Sequence, residues 1–289
     1  FNSEFHSTLI KKMLNSSKYK FGSSELDLSL PKIMGIVNVT PDSFSDGGKY
    51  FSEKAAVDHA LKLFDEGASI IDIGGESTRP GSEPVTLQEE LDRTIPVIRE
   101  LKKLRNDIII SIDTTKSKVA STALENGADI VNDISGLTFD KNMLNLIKEY
   151  DPGIVLMHIK GNPKTMQENP FYEDVVKEVK DFLCDQLKLT EAAGLKKIFI
   201  DPGIGFGKRL VDNFNIIKQL KDFEEFGYPI MVGVSRKSFI GKTLDLDIEN
   251  RDIATVIMET VAVMKSARII RTHNVKYCMH LVKLASHIL

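Results

Sequence analysis

The chain has 289 residues, of which 42% are hydrophobic and 27% are charged, and its net charge is −3. This composition is typical of a globular protein, and the near balance of charges argues against a dedicated nucleic-acid binder, which usually presents a basic face. No apolar run approaches the ~20 residues of a membrane-spanning helix. The content of only two cysteines excludes a disulfide scaffold and predicts a reducing compartment such as the cytoplasm.

One pattern repeats along the chain: a short apolar run, a loop and a longer amphipathic stretch. The apolar runs cover residues 33–40, 69–75, 108–114, 130–135, 153–159, 198–203, 229–235 and 267–273. Runs that are apolar almost throughout suit strands covered on both faces, as in a parallel sheet. Helical spacing predicts helices within residues 55–66, 91–104, 169–193, 211–226, 253–264 and 275–288. Eight such units in about 250 residues predict a single (β/α)8 TIM barrel, with an open doubly wound sheet as the alternative.

The residues before the first unit are predicted to form an N-terminal extension or linker over residues 1–25, followed by one barrel domain over residues 26–289. Residues 5–18 show weak helical spacing. Residues 26–30 alternate between apolar and polar side chains, which predicts a short strand that closes the bottom of the barrel.

Each of the eight apolar runs ends in side chains that can bind a ligand or ionise. In chain order these ends carry Asn38, Glu76, Asp113, Asn132, His158, Asp201, Lys237 and Arg271. Polar residues commonly end strands and cap helices, so any one of these ends has that simpler interpretation. Barrel enzymes work at the carboxyl ends of their strands, however, and eight convergent polar ends favour a binding site.

The residue types at these ends indicate particular chemistry. Asp113 and Asp201 follow buried strands, where a carboxylate must be paired or hydrogen-bonded, and the adjacent N–H donors of a heterocycle would satisfy one of them. Arg271 and its neighbours after the seventh and eighth strands form a potential anion site, since barrels often bind phosphate there and Arg binds phosphate bidentately. Asn38 supplies a neutral oxygen suited to Mg²⁺ beside a phosphate.

Long loop motifs resemble those of the dihydropteroate synthases. The sequence MGIVNVTPDSFSDGG at residues 34–48 is similar to the first signature of that family, and DIGGESTRPG at residues 72–81 is similar to the second. The motifs DPGIGFGK at residues 201–208, SRKS at residues 235–238 and RTH at residues 271–273 follow in the family's order. The resemblance covers about residues 26–289 and is far more specific than a lone glycine pattern.

The resemblance implies a (β/α)8 transferase, usually a homodimer, that condenses 6-hydroxymethyl-7,8-dihydropterin diphosphate with p-aminobenzoate. The products would be 7,8-dihydropteroate and diphosphate, formed by an SN1-like displacement with Mg²⁺. Catalytic roles would fall on Asp46, Lys237, Arg271 and His273. The pterin would be held by Asp113, Asn132, Met157, Asp201, Phe206, Gly233 and Lys237. The diphosphate would be held by Asn38, Arg271 and His273, with Asn38 as the metal ligand. p-Aminobenzoate would contact Phe44, Thr78, Arg79, Pro80 and Ser238.

Two other functions share parts of this pattern. A pterin-barrel methyltransferase that uses methyltetrahydrofolate would keep the pterin residues, but it would lack the STRP loop and the diphosphate clamp. A non-catalytic pterin-binding domain of a folate-pathway fusion is the other alternative, and a chain that starts with Phe1 is expected to be fused to, or cut from, another folate enzyme. The chain also has Asn274 where the family commonly has Asp, at the predicted N-cap of the last helix.

Overall fold

The structure, a computed structural model, describes residues 17–40 and 48–288. The strands in these residues are β1 (Lys18–Phe21), β2 (Ser24–Asp27), β3 (Lys32–Asn38), β4 (Ile70–Gly74), β5 (Ile109–Asp113), β6 (Ile130–Asp133), β7 (Gly153–Met157), β8 (Ile198–Asp201), β9 (Ile230–Val232) and β10 (Ala267–Thr272). Strands β1 and β2 form an antiparallel pair. The other eight close into a parallel barrel in the order β10-β3-β4-β5-β6-β7-β8-β9. The predicted (β/α)8 barrel is confirmed, and the open sheet is wrong.

Helices surround the barrel in the described part of the chain. They are α1 (Gly48–Asp65), α2 (Leu87–Leu104), α3 (Ser117–Glu125), α4 (Met143–Tyr150), α5 (Val175–Ala192), α6 (Leu210–Lys218), α7 (Ser238–Leu244), α8 (Asp252–Met264) and α9 (Val275–Ala285). The sequence prediction missed α3, α4 and α7. The single helix predicted over residues 211–226 is instead α6 followed by a 3₁₀ helix, Leu220–Phe226, because the backbone leaves the helical region at Gln219.

The main core lies between the barrel and its helices. Strands β4, β5 and β7 are buried at every position, since one face meets the barrel interior and the other meets the helices. This double burial explains why the strands read as continuous apolar runs. Helix α2 illustrates the outer layer: Thr86 and Glu89 form a reciprocal capping box at its start, and Ile95, Ile98 and Leu101 face inward.

The hairpin formed by β1 and β2 closes the bottom of the barrel. Tyr19, Phe21, Leu26 and Leu28 pack in one buried cluster with side chains from all eight barrel strands, and the rings of Tyr19 and Phe199 lie 5.0 Å apart. The strand predicted within residues 26–30 is therefore found slightly earlier, at Ser24–Asp27. The predicted domain boundary after residue 25 stays a prediction, and the helix predicted over residues 5–18 lies largely outside the described residues.

No helix within the described ranges is long and apolar enough to cross a membrane.

A buried carboxylic acid lies in the outer layer beneath β10. Glu259 of α8 is fully buried, and neither of its carboxyl oxygens has a hydrogen-bond partner among the described residues. Burial raises the pKa of Glu259 to about 7, although Thr272 and Cys278 beside it oppose the shift. The carboxyl group is therefore neutral in the folded protein under mildly acidic conditions and becomes a buried charge as the pH rises.

Stability should consequently fall as the pH rises from 4.5, the ordinary Glu value, towards about 7. The folded state binds the proton more tightly than the unfolded state across this window, so the free energy of unfolding should drop by about 3 kcal/mol. Glu259→Met fills a similar volume without an ionisable group. Its melting temperature should exceed that of the wild type at about pH 8, and its melting temperature should lose this pH dependence. Parallel pH profiles for the two proteins would contradict the assignment.

Candidate active site

The carboxyl ends of the eight barrel strands meet at the mouth opposite the hairpin. The predicted site residues at these ends, or directly after them, are Asn38, Asp113, Asn132, Met157, Asp201, Gly233, Arg271 and His273. The structure thus brings this part of the predicted set to one face of the barrel. Phe44 and Asp46 lie outside the described residues.

Arg271 bridges two buried carboxylates inside the mouth. Its Nε donates to Oδ2 of Asp72 at 2.7 Å, and its Nη2 donates to Oδ2 of Asp113 at 2.6 Å. Burial raises the pKa of Asp113, while the guanidinium opposes that shift. Burial alone would lower the pKa of Arg271, but the two carboxylates raise it above its ordinary value. The site therefore keeps a permanent cation held between two acids.

Two buried acceptors in the same place have no partner. Nδ2 of Asn132 donates to Oδ2 of Asp72 at 3.2 Å, but Oδ1 of Asn132 and Oδ1 of Asp72 lack hydrogen bonds within the described structure. An unsatisfied buried polar group costs about 1–3 kcal/mol. Such a cost is tolerated where a ligand with N–H donors supplies the missing bonds, and this arrangement therefore suits a nitrogen heterocycle.

Asp201 and Lys237 are two buried ionisable groups of the mouth that influence each other electrostatically. Asp201 is buried, and its Oδ1 accepts from the backbone N–H of Gly203 at 2.7 Å. Burial raises the pKa of Asp201 and Lys237 opposes it. Burial lowers the pKa of Lys237 to about 7 and Asp201 opposes it. The Lys237 ammonium donates to the carbonyl of Ile204 and lies 4.4 Å from the centroid of the Phe206 ring.

An apolar wall completes this side of the mouth. Ile134, Met157, Ile159, Met166 and Phe206 form a buried cluster of their own, separate from the main core. They come from the ends of β6 and β7 and from the loops after β7 and β8. A flat aromatic ring could pack against this wall while its polar edges reach the carboxylates.

Lys208 holds the loop that carries part of this wall. Its ammonium, 2% exposed, donates to the carbonyls of Gly203 at 2.7 Å and Phe206 at 3.1 Å and lies 3.0 Å from Nδ1 of His158. Burial lowers the pKa of Lys208 well below its ordinary value. Burial also lowers the pKa of His158 to about 2, so the ring is neutral and can accept from the lysine. The glycine at 203 is required, because its φ is +69° and any Cβ there would collide with the His158 carbonyl.

His273 lies at the end of β10 next to Arg271. Its Nδ1 is 3.0 Å from the hydroxyl of Ser235, which also accepts from the His273 backbone N–H at 3.2 Å. Burial and the nearby cation of Arg271 lower the pKa of His273 to about 3. The ring is therefore neutral at physiological pH, so it can donate a hydrogen bond to an anion but adds no charge.

Asn274 occupies the helix cap that the sequence predicts. Its Oδ1 accepts from the backbone N–H of Tyr277 at 3.1 Å at the start of α9. Its Nδ2 donates to Oδ2 of Asp252 at 2.9 Å, and Arg236 binds the same carboxylate through Nε at 2.7 Å and Nη2 at 3.0 Å. The amide thus makes both hydrogen bonds, whereas an aspartate could accept from Tyr277 but could not donate to Asp252.

The described residues that are predicted to surround p-aminobenzoate lie at the outer rim. Arg79, Pro80 and Ser238 are exposed, and Thr78 is half-buried. Thr78, Arg79 and Pro80 belong to the loop after β4, which is held near its tip, where the N–H of Gly81 donates to the carbonyl of Pro163 at 3.1 Å. A cavity of about 480 Å³ adjoins this rim and is lined by Gln167, Phe171, Arg209, Ser238 and Lys242, among others.

The base of that loop is held by ion pairs that the sequence did not predict. The ammonium of Lys116, just after β5, binds the carboxylate of Glu76 and that of the buried Glu90, the latter at 2.5 Å. Arg93 donates to the carbonyl of Gly75 at 2.8 Å. These contacts anchor the loop after β4 to α2 and to the loop after β5.

Asp72 and Lys208 are the central residues that the sequence prediction left out. Asp72 is a charged residue in the middle of a buried apolar strand, and that misfit was the signal available in the sequence. Lys208 ends a glycine-rich loop, and the sequence does not show that its side chain turns inward.

Comparison with known proteins identifies the family. Residues 34–273 match the pterin binding enzyme family. The dihydropteroate synthase of Synechocystis is 46% identical over 88% of this chain and 88% of its own length. The dihydropteroate synthase of Escherichia coli is 45% identical over 88% of this chain and 90% of its own length.

Solved structures agree in sequence and in fold. The Yersinia pestis dihydropteroate synthase, solved with a sulfonamide drug complex, has a TM-score of 0.88 and 39% identity, covering 94% of this chain and 98% of that one. The Xanthomonas albilineans enzyme, solved with 4-aminobenzoic acid, has a TM-score of 0.89 and 38% identity, covering 95% and 98%. A second Xanthomonas albilineans structure holds 7,8-dihydropteroate, with a TM-score of 0.85 and 36% identity, and it covers 94% and 98%.

A closed parallel barrel with a buried polar mouth, matched over most of its length, places the chain among the pterin binding enzymes. Within them it belongs to the dihydropteroate synthase family, whose members are transferases of folate biosynthesis.

Proposed function

We propose that this chain condenses 6-hydroxymethyl-7,8-dihydropterin diphosphate with p-aminobenzoate to give 7,8-dihydropteroate and diphosphate. The observation that carries the proposal is the set of buried acceptors on Asp72, Asn132, Asp113 and Asp201 beside an apolar wall, with Arg271 among them. The acceptor oxygens would bind the N–H donors at the edges of a pterin, and the guanidinium of Arg271 would stabilise a departing anion. Family membership supports the same reaction.

The pterin would bind with its ring on the apolar wall. Met157 and Phe206 would pack on its faces, and Gly233 would leave room for the ring at the end of β9. Asp113, Asn132 and Asp201 would accept hydrogen bonds from its amino and ring N–H groups. Lys237, which stays near Phe206, would donate to a carbonyl or ring nitrogen. Each of these roles uses a group whose partners in the structure are incomplete or exchangeable.

Lys237 gives this assignment a pH signature. Because its pKa lies at about 7, it loses its proton, and with it the charged hydrogen bond to the pterin, as the pH rises through neutrality. The kcat/KM for the dihydropterin diphosphate, which reports the free enzyme, should fall by about tenfold per pH unit above that value. Lys237→Arg stays charged, so its lower activity should show no such fall up to about pH 9. The same fall in kcat/KM at alkaline pH in both proteins would contradict this role of Lys237.

The diphosphate would be bound by Arg271, His273 and Asn38. Arg271 supplies the charge, and the neutral His273 would donate from Nε2, because the Ser235 hydroxyl lies on the Nδ1 side. Fixed donors of this kind stabilise the negative charge that develops on a departing anion, and such stabilisation usually contributes more to catalysis than any other single effect.

We assign Mg²⁺ as the cofactor. A Cβ built on Gly74 would lie 3.8 Å from both Oδ1 of Asn38 and Oδ2 of Asp113, so two hard oxygens flank this glycine. Mg²⁺ commonly keeps several waters and binds substrate phosphates, so diphosphate and water would hold most of the ion, with Asn38 as its protein ligand. No cluster of three or more His, Cys, Asp or Glu ligands occurs in the described ranges. When bound, the ion would neutralise charge on the leaving group.

p-Aminobenzoate would bind at the rim beside Thr78, Arg79, Pro80 and Ser238, with Phe44 on the preceding loop and Asp46 near the developing cation. The C–O bond to diphosphate would break in an SN1-like step because the electron-rich pterin delocalises the positive charge on its CH₂ group. The aniline nitrogen would then attack this carbon and lose a proton. The protein's contribution is to orient the weak nucleophile and to keep water away from the reacting carbon.

We also propose a homodimer that forms through α8. Ile253, Ile257 and Met264 lie on one face of this helix and are 74%, 58% and 54% exposed. Exposed apolar side chains that recur along one helix face favour an interface. Ile257→Lys should convert the dimer to a monomer in sedimentation experiments. Leu189→Lys, at a 49% exposed position on α5, should leave the dimer intact. A wild-type monomer, or equal effects of the two changes, would contradict this interface.

The cytoplasm is the compartment we propose, since both cysteines are free thiols. We further propose that nucleic acids and membranes are not partners, because the net charge is slightly acidic. Fusion to, or cleavage from, another folate-pathway enzyme remains an expectation from the resemblance.

The test is an assay of the purified chain with the two substrates, with and without Mg²⁺, beside a methyl-transfer assay with methyltetrahydrofolate and a corrinoid. We expect magnesium-dependent formation of dihydropteroate and no methyl transfer. Methyl transfer alone would favour the methyltransferase. Pterin binding without either turnover would favour a non-catalytic domain.

A further inference from the structure

We propose that Asp72 is a positioning residue that couples the pterin pocket to the diphosphate clamp. The proposal rests on the function proposed above and adds a role for a residue that contacts neither reacting atom. Asp72 would hold Nε of Arg271 while Nη2 of the same side chain changes its partner from Asp113 to the diphosphate.

The geometry centres on a single oxygen. Oδ2 of Asp72 accepts both from Nε of Arg271 at 2.7 Å and from Nδ2 of Asn132 at 3.2 Å. Asp72, Arg271 and Asn132 belong to three different strands of the barrel, β4, β10 and β6. Asp72 and Asn132 are buried, and the Arg271 side chain is 18% exposed, so the three side chains form one largely buried frame. A movement of Arg271 or of Asn132 would therefore displace the other through Asp72.

The two contacts of Arg271 have different consequences. Nη2 is bound to Oδ2 of Asp113, an acceptor that the proposed function assigns to the pterin. In the proposed exchange, the diphosphate would take the same nitrogen as a donor. When diphosphate binds, Nη2 can leave Asp113 for the anion while Nε stays on Asp72. Asp113 is then released to accept from the pterin, so each ligand favours the other.

Asp72 is suited to hold Nε of Arg271 in place during this exchange. Its Oδ2 serves Arg271 and Asn132, and its Oδ1 has no hydrogen bond to any described residue. Without this carboxylate, Arg271 would keep only the Asp113 contact and would remain on the pterin's acceptor. Loss of Asp72 should therefore weaken diphosphate binding and abolish its coupling to pterin binding.

A neighbouring residue supplies a matched control. Ser111 of β5 pairs in register with Asp72, is equally buried, and has a hydroxyl with no hydrogen-bond partner in the described part of the chain. Ser111→Ala changes a polar side chain in the same layer of the barrel without removing a hydrogen bond of Arg271 or Asn132. It tests whether any polar change in this layer disturbs the site.

The experiment is calorimetry with inorganic diphosphate and 6-hydroxymethylpterin, separately and together, with Mg²⁺ present. In the wild type and Ser111→Ala, each ligand should tighten the other by about 5–150-fold. In Asp72→Ala, which removes the acceptor for both Arg271 and Asn132, the coupling should fall to within about twofold of none, and kcat should fall by about tenfold or more while the KM for p-aminobenzoate changes by less than about threefold. Retained coupling in Asp72→Ala, or its loss in Ser111→Ala, would overturn the proposal.

A measurement on the wild type covers the case in which Asp72→Ala does not fold. The ¹⁵N resonance of Arg271 Nε, assigned by its absence in Arg271→Lys, should keep a slowly exchanging proton when diphosphate binds. A proton that exchanges freely in both states would overturn the proposal. Failure of the proposed function would appear separately, as a wild type that forms no dihydropteroate, and the binding coupling would still test Asp72.

Discussion

Replacement of Arg271 by alanine is expected to lower kcat/KM for the dihydropterin diphosphate by about 10²–10³-fold, because the departing diphosphate loses its fixed donor. The change also leaves Asp72 and Asp113 as buried carboxylates without their cation. Breaking a buried ion pair from one side costs about 3–5 kcal/mol, so the melting temperature should fall as well. Arg271→Lys, which keeps the charge but not the fork of donors, should lie between the alanine variant and the wild type in activity. Steady-state kinetics and thermal denaturation of both variants measure the two effects.

Asn274→Asp is the matched control for Arg271→Ala, because it changes a polar side chain three residues away in the same segment. The aspartate keeps the cap on α9 but cannot donate to Asp252. Arg236 still binds Asp252 and offsets part of the repulsion between the two acids. We expect stability to fall by about 1 kcal/mol and activity to stay within about tenfold of the wild type. If Asn274→Asp abolishes turnover while Arg271→Ala does not, the diphosphate site has been assigned to the wrong residues.

Asp201→Asn is expected to weaken pterin binding by at least about tenfold, since a buried group left with a mismatched partner costs about 1–3 kcal/mol. The amide oxygen can still accept from Gly203, so the loop should fold, but an NH₂ group then meets the donors of the pterin. Lys237 also loses the carboxylate that raises its pKa, which should move its loss of charge to lower pH. Calorimetry with 6-hydroxymethylpterin measures the affinity directly.

Asp133→Asn provides a comparison at another buried strand end. Both oxygens of Asp133 serve its own loop, where Ser135 donates at 2.8 Å and 2.7 Å and Leu137 donates at 2.9 Å. This variant should be less stable but should bind pterin within about threefold of the wild type. Equal losses of pterin affinity in the two variants would mean that Asp201 acts through general stability and not through contact.

The barrel was predictable because each strand is covered on both faces and therefore reads as an apolar run. The helices α3, α4 and α7 escaped prediction because they are only nine, eight and seven residues long, which gives the helical period too few turns to stand out. The short strand β2 was placed a few residues late because the alternation continues past Asp27, where the pairing with β1 ends, and β1 itself was not predicted.

The site was predictable as a set of strand ends but not as a network. Strand ends are marked in the sequence by polar residues after apolar runs, which located Asp113, Asn132 and Asp201. The contacts of Arg271 join residues 199 and 158 positions apart, and only closure of the barrel brings them together. Lys208 turns inward because its loop passes through several glycines with positive φ, a conformation that the sequence permits but does not specify.

The most direct measurement of the central claim is the stoichiometry of products formed by the purified chain. With 6-hydroxymethyl-7,8-dihydropterin diphosphate, p-aminobenzoate and Mg²⁺, we predict one diphosphate released for each 7,8-dihydropteroate formed. Neither product should form when p-aminobenzoate is left out, because the closed site excludes water as a substitute nucleophile. Diphosphate released at the same rate without p-aminobenzoate would identify a hydrolase. The absence of both products with folded protein would contradict the assignment of this barrel mouth to pterin transfer.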